Sequence, residues 1–287
     1  MDEKDWIAIR VLYEEKNMSR AAERLYISQP ALTYRLKNLE KEFGTSLFFK
    51  IKNGIEFTSE GIYLADYAEE MIKKLQKTKD YMLNMQNEVR GTLRLGVSSN
   101  FAQYKLPKIL KKFSDQFPHV QFSVNTGWST EIMHLLNSSS VQVGILRGNY
   151  EWYGIKTLLH RERLCLISKD EVDLDDLPQL PFIHYKTDSS LKNLINGWWH
   201  DRFSDPPMVT MENDRQETCK EMVKHGLGVS ILPEICLQPS DNLHTYGLSY
   251  QNGEPVLRNT WLMYNPDVLR LSTVKHFIDF LNKKTSI

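Results

Sequence analysis

Residues 28 to 35 read Ser28-Gln29-Pro30-Ala31-Leu32-Thr33-Tyr34-Arg35. The side chain of Gln29 is a planar amide that donates and accepts at once, the geometry that pairs bidentately with an adenine edge. Thr33 and Tyr34 carry hydroxyls suited to bases or phosphates. Arg35, Lys37 and Lys41 carry charge suited to a phosphate backbone, although Lys37 and Lys41 are equally the solvated charges of an ordinary helix surface. Such chemistry requires a helix whose first turn faces outward. Ser28 is a good N-cap, and Pro30 falls in the first turn, where a missing N–H costs nothing. Leu32, Leu36, Leu39 and Phe43 recur at helical spacing as an inward stripe, and Gly44 suits a left-handed C-terminal cap.

The flanking elements complete a head that could hold this helix. Trp6, Ile9, Leu12 and Tyr13 predict a first helix over 5–16. Ser19 is the expected N-cap of a short helix from Arg20 to Leu25. After Leu47-Phe48-Phe49, Asn53-Gly54 between alternating residues signals a hairpin, which carries Lys50, Lys52 and Asn53 as wing residues. Three helices and a hairpin make a winged helix-turn-helix over 1–58. Between Lys16 and Lys52 basic residues outnumber acidic ones by eight to three, although the whole chain balances 36 Lys+Arg against 36 Asp+Glu. The residues expected to meet double-stranded DNA are Arg20, Ser28, Gln29, Pro30, Ala31, Thr33, Tyr34, Arg35, Lys37, Lys50, Lys52 and Asn53.

Thr58 starts a long helix. Leu64, Ala68, Met71, Leu75, Thr78, Met82, Met85 and Val89 alternate steps of four and three, a heptad seam broken at Thr78. A helix this long cannot bury such a stripe, over 59–90, within the small head, so it calls for a partner helix, most simply that of a second chain, or else for packing on its own sensor domain. Beyond Arg90-Gly91 strands and helices alternate: strands at Thr92–Val97, Val120–Asn125 and Val141–Leu146, and helices at Ala102–Phe117 and Ser129–Leu136. Further strands are expected at Leu158–Ser168, Phe182–Tyr185, Met208–Glu212 and Thr260–Tyr264, with helices at Ser190–Phe203, Glu217–His225 and Val274–Lys283. The pattern is a two-lobed, doubly wound α/β receptor of the periplasmic-binding-protein type over 91–287. One lobe is expected over about 91–160 and 265–287, the other over about 161–264.

Ligands of such folds sit at the carboxyl ends of strands. The candidates are Ser98, Ser99, Asn100 and Phe101 after the first strand, Trp128, Ser129 and Thr130 after the second, and Arg147 after the third. Tyr185, Thr187 and Ser190 face them from the other lobe. Hydroxyls at helix N-termini opposite an arginine suit a small carboxylate or similar anion. Ser98 and Thr130 are helix caps on the plainer reading, and Arg147 an ordinary ion pair. Trp198 and Trp199 are core or interface residues.

The first ninety residues resemble the LysR-type transcriptional regulators. The likeness rests on Ala21-Ala22, Leu25, the run from Ser28 to Thr33, Leu36, Leu39-Glu40, Phe43-Gly44, Leu47-Phe48, Thr58 and Gly61. Gly91-Thr92-Leu93-Arg94-Leu95-Gly96 and Gly226-Leu227-Gly228 through Pro233 extend it over nearly the whole chain. Lys50 departs from it: the family usually has arginine there, so a bidentate fork to phosphate is given up. The resemblance implies sequence-specific promoter binding modulated by a small-molecule effector, with Ser98, Asn100 and Thr130 among its contacts. It also implies a homodimer, assembly into a homotetramer, and RNA polymerase as a partner in activation.

Other classes fit less well. There is no G-x-S-x-G elbow, G-x-x-x-x-G-K-[ST] loop or H-E-x-x-H, so an enzyme is not expected, and no cofactor either. The eight histidines show no metal spacing. Cys165, Cys219 and Cys236 form no disulfide framework. No signal segment or apolar span is read, so the chain is expected in the cytoplasm and away from membranes. An α/β small-molecule binder or enzyme without a DNA-regulatory role is the alternative, and a DNA-coating protein would need no receptor.

Overall fold

The computed structural model describes residues 1–84 and 89–283. The chain divides into two compact units, Met1–Gln86 and Asn87–Ile287.

In the first unit α1 (Glu3–Glu15) opens on Asp2, whose carboxylate accepts from Asp5 N, while the Asp5 carboxylate accepts from Asp2 N. Helix α2 (Met18–Arg24) is capped by Asn17, which accepts from both Ser19 N and Arg20 N. The cap expected at Ser19 therefore moves to Asn17, the residue whose backbone is extended and whose side-chain oxygen can reach the open amides. Helix α3 (Gln29–Phe43) begins on Ser28, whose hydroxyl accepts from Ala31 N, and ends at Gly44 with φ 65°. Strands β1 (Phe48–Ile51) and β2 (Gly54–Phe57) form the wing. Ile51 faces Gly54, so the two-residue turn is Lys52-Asn53, one position earlier than Asn53-Gly54. Ile9, Leu12, Ala21, Leu32, Leu36, Leu39 and Leu47 are buried together with Leu64 and Ala68 of α4 (Ser59–Asn84). A Cβ on Gly61 would lie 1.9 Å from Leu47 O, so only glycine lets α4 approach the start of the wing.

The heptad stripe is thus divided. Leu64 and Ala68 serve the core of their own unit, and Lys79 Nζ still reaches Glu3 at 2.9 Å. Met82 is 63% exposed. Met85 lies outside the described residues. Val89 packs on the core of the second unit instead of continuing the seam.

The second unit contains β3 (Gly91–Ser98), α5 (Ser99–Tyr104), α6 (Leu106–Gln116), β4 (Val120–Gly127), α7 (Ser129–Asn137), β5 (Val143–Arg147) and β6 (Ile155–Ser168). It continues with β7 (Phe182–Tyr185), α8 (Ser189–Arg202), β8 (Val209–Asn213), α9 (Gln216–Lys224), β9 (Ser230–Pro233), β10 (His244–Gly247), β11 (Leu257–Tyr264) and α10 (Ser272–Lys283). The single helix expected over Ala102–Phe117 is two helices: Pro107 has no N–H to bond the carbonyl four residues back, so α5 stops at Tyr104 and α6 restarts at Leu106 with the proline in its first turn. The sheet runs β10-β6-β11-β5-β3-β4, with β9 also on β6, and β7 pairs β8 separately. Strand β3 is parallel to β4 and β5, whereas β11 runs antiparallel to both β5 and β6. The long β6 pairs β11 along its first part and β9 and β10 along its second, so it belongs to both lobes. One core gathers Leu93, Val97, Phe101, Phe113 and Phe277, the other Leu166, Phe182, Trp198, Trp199 and Ile231. Trp198 and Trp199 are core residues whose indole N–H groups donate to Ser249 O and Asp205 O. Among the described residues no helix is long and apolar enough to cross a membrane, and no His, Cys, Asp and Glu group could hold a metal.

Candidate functional site

The surface of α3 follows from its cap and stripe. With Leu32, Leu36 and Leu39 buried, Gln29, Pro30 and Ala31 stand exposed at the helix start beside the exposed cap Ser28, and Tyr34 is 71% exposed. Lys37 is also exposed, and Thr33 is half-buried. Arg35 is placed differently from expectation. It is half-buried, and its guanidinium donates to Asp5 at 2.6 Å with Asp2 at 3.5 Å, a tie between α3 and α1. Arg20 is exposed and donates to Glu15 O. Lys50, Lys52 and Asn53 lie exposed on the wing. The exposed Asn38 shares a groove with Tyr34 and was not singled out in the sequence, where a lone asparagine within a helix carries no signal.

In the second unit a cavity of about 490 Å³ opens where β3, β4, β5 and β7 end. This volume suits a small ligand. Ser98, Ser99, Asn100, Trp128, Ser129, Arg147, Tyr185 and Thr187 line it together. Three expected residues do not. Phe101 is fully buried in the first core, Thr130 points from α7 into solvent, and Ser190 lies beside Gly148, where an added Cβ would meet its Oγ at 2.3 Å. A core helix face explains Phe101, and a first-turn position on the solvent side explains Thr130.

The cavity floor holds two buried ion pairs. Arg147, 2% exposed, pairs with Glu162 of β6, whose second oxygen accepts from Ile235 N at 2.7 Å. Arg258 of β11 pairs with Asp188 at 2.5 Å, and the other Asp188 oxygen caps α8 by accepting from Leu191 N. Arg147 is therefore no free counter-charge; Glu162 neutralises it. Burial, together with the neighbouring Arg147 charge, lowers the Arg258 pKa against the opposing pull of Asp188. Both guanidiniums retain an Nε–H without a partner among the described residues, and the buried Ser98 hydroxyl has none either. The site is close to charge-neutral but rich in unused donors, which suits an acceptor-rich ligand of low charge. Asn100 Nδ2 donates to Gln216 Oε1 at 2.9 Å across the cleft. Burial pushes the Tyr185 phenol well above its ordinary range, so it remains a donor, to Ile231 O. Arg258, Asp188 and Gln216 were not found in the sequence, because only the pairing of distant strands brings them to this cavity.

The three cysteines are buried free thiols. Burial raises the pKa of Cys165 and of Cys219 to about 11 and that of Cys236 to about 12, leaving all three protonated near neutrality.

A winged head with an outward helix, joined in one chain to a two-lobed receptor with a donor-rich cavity, defines a DNA-binding protein that answers to a small molecule. The comparisons with known proteins agree. Residues 4–62 match the bacterial regulatory helix-turn-helix protein, lysR family, and residues 86–286 match the LysR substrate binding domain. The chain is 57% identical over 281 residues to the uncharacterized HTH-type transcriptional regulator YraN of Bacillus subtilis, covering 98% of this chain and 97% of that one. It is 37% identical to YkuM of the same organism, over 94% and 93% of the two chains. Its fold matches full-length CbnR in complex with its target DNA, with TM-score 0.71, 18% identity and 99% of each chain covered. Full-length AphB of Vibrio cholerae matches with TM-score 0.65, 14% identity and 99% of each chain covered.

The chain belongs to the LysR family of transcriptional regulators. It is a DNA-binding regulator with an effector-binding domain, not an enzyme.

Proposed function

We propose that residues 1–58 read a promoter through the start of α3, with Gln29 on a base edge and Thr33 and Tyr34 beside it. Lys37 and the wing residues Lys50, Lys52 and Asn53 meet the phosphate backbone, and Arg20 adds charge from α2. Arg35 supports this face from behind through its bond to Asp5. The observation that carries the reading is the exposure of Gln29 at the capped front of a helix whose opposite face is core. Gln29→Ala is expected to lower discrimination between the preferred site and unrelated duplex by about 1–3 kcal/mol while sparing non-specific binding. Competition gel shifts at fixed salt measure that ratio, and an unchanged ratio overturns the placement.

Residues 91–287 act as the receptor. A small monoanionic metabolite, most simply a carboxylate, occupies the cavity floored by Arg147 and Arg258. The unpaired donors there support this reading. Because the lining comes from both lobes, a bound effector favours a closed arrangement over an open one, and differential affinity for the two arrangements is the signal. Residues 59–90 join two chains: Met82 lies exposed on the stripe, and two recognition helices then address an inverted repeat. Further pairing through receptors makes a tetramer. The regulator works in the cytoplasm and contacts RNA polymerase when it activates.

A further inference from the structure

Tyr26 occupies an expensive position. Helix α2 ends at Leu25, and Tyr26 follows with φ 55°, in the left-handed region. Its N–H donates to Glu23 O at 3.0 Å, and the next N–H, of Ile27, donates to Ala22 O at 3.1 Å. This pair of bonds is the Schellman ending of a helix, whose left-handed residue is by preference glycine, or else asparagine, because a Cβ is crowded there. Among the described residues the other non-glycine positions with positive φ are Lys16, Ser139 and Asn242, so Tyr26 is the one aromatic residue forced into that conformation. Burial does not offset the strain, since Tyr26 is 96% exposed. Its side chain belongs to none of the buried clusters or their partly buried flanks, and its hydroxyl has no partner among the described residues. A strained and exposed aromatic ring contributes nothing to the head on its own.

Its place in the chain identifies what it meets. Tyr26 lies three positions before Gln29, so their Cα atoms lie at most roughly 11 Å apart. The major groove is about 12 Å wide between its phosphate walls. With Gln29 on a base edge, a phenol starting from Tyr26 reaches one of those walls. We propose that Tyr26 is a DNA-backbone anchor whose hydroxyl donates to a phosphate oxygen beside the groove that α3 enters, a contact that holds register without reading sequence. This rests on the placement of α3 described above.

Strain and contact make opposite predictions for the free and bound protein. The test uses the full-length chain and the duplex it selects from a random pool, with a scrambled duplex of equal length as the second probe. Tyr26→Asn relieves the left-handed strain, so the Tm of the free protein should rise while affinity falls about five- to tenfold on both duplexes. Tyr26→Phe should lose a similar factor with Tm unchanged. Because a phenol displaces no counterion, the slope of log affinity against log salt should match wild type in both variants, unlike that of a lysine contact. A Tyr26→Asn protein that binds as tightly as wild type overturns the proposal. So does one whose Tm falls together with its affinity, since that marks a structural residue. Gln29→Ala is run in parallel: an altered specificity ratio with inert Tyr26 variants removes only the anchor, whereas no effect from either residue removes the placement of α3.

Discussion

Replacing Asp188 by asparagine tests whether the cavity floor is a balanced charge network. Asp188 makes two bonds of different kinds, one oxygen on Arg258 and the other capping α8. Asparagine caps a helix about as well as aspartate, so the second bond survives the change. The first does not survive as an ion pair. Arg258 is 4% exposed and has no other carboxylate within salt-bridge reach among the described residues, so its charge is left in the interior. Removing one partner of a buried pair typically costs about 3–5 kcal/mol. The cavity admits water to one side of this pair, which favours the lower end, about 3 kcal/mol. For a receptor of this size that corresponds to a Tm drop on the order of 6–12 °C. Asp188→Ala should cost about 1 kcal/mol more, the worth of the cap.

Denaturant titration of the full chain, followed through the receptor transition, measures each difference. Two further arms separate charge from packing. Asp188→Asn combined with Arg258→Met removes both charges and should recover most of the loss. Formate or acetate added to Asp188→Asn alone should raise its Tm more than it raises that of wild type, because the guanidinium at the cavity floor now lacks its internal anion. A ligand at a hundred times its Kd contributes about 2.7 kcal/mol, nearly the whole deficit. An Asp188→Asn protein within about 0.5 kcal/mol of wild type, indifferent to carboxylates, would refute the argument that these buried charges are mutually dependent.

Three other outcomes follow from the same structure. Met82→Glu places a charge on an exposed position of the α4 stripe. It should weaken self-association about tenfold or more in sedimentation equilibrium while leaving the circular dichroism unchanged, and an unaltered dimer constant would remove Met82 from the contact. His160 and His184 have pKa values lowered from 6.5, in both cases mainly by burial. The folded state therefore holds them neutral, and their stabilisation is present above pH 6.5 and lost as pH falls through and below it. Tm should decline from pH 7 towards pH 5, and His160→Gln with His184→Gln should flatten that decline; an identical profile would assign it to other groups. The three thiols should be inert to a disulfide reagent at pH 8 in the native protein and all react in denaturant. Rapid native labelling at any of the three would contradict the burial that keeps them protonated.

The legible parts of the sequence were those whose physics spans four residues or fewer. Ser28 must be extended and Gly44 left-handed for α3 to exist between them, and both conditions are written in residue type. The neighbouring errors were of the same short range. Asn17 outcompeted Ser19 as a cap, and the wing turn closed one residue early. The heptad stripe shows a different limit. Periodicity identifies an apolar face but not its partner, and at Leu64 and Ala68 the partner is the core of the same unit. Tyr26 shows another, since residue type gave no sign that a tyrosine would occupy a position suited to glycine.

The receptor site was half visible for a deeper reason. Strand ends and helix starts located Ser98, Asn100, Trp128, Ser129 and Arg147, because each lies where a strand must stop. Their electrostatic meaning depended on Glu162, Asp188 and Arg258, which approach only after β11 pairs β5 on one side and β6 on the other. Read alone, Arg147 is a waiting counter-charge; with Glu162 in place it is a spent one, and what remains for a ligand is hydrogen-bond donors. The same long-range pairing that hid the site from sequence makes it suitable for a response. The bond from Arg258 to Asp188 joins the strand bridge to the cap of α8, and the bond from Asn100 to Gln216 joins α5 to α9. A ligand that competes for the Asn100–Gln216 bond changes a contact between lobes without disturbing the core of either one.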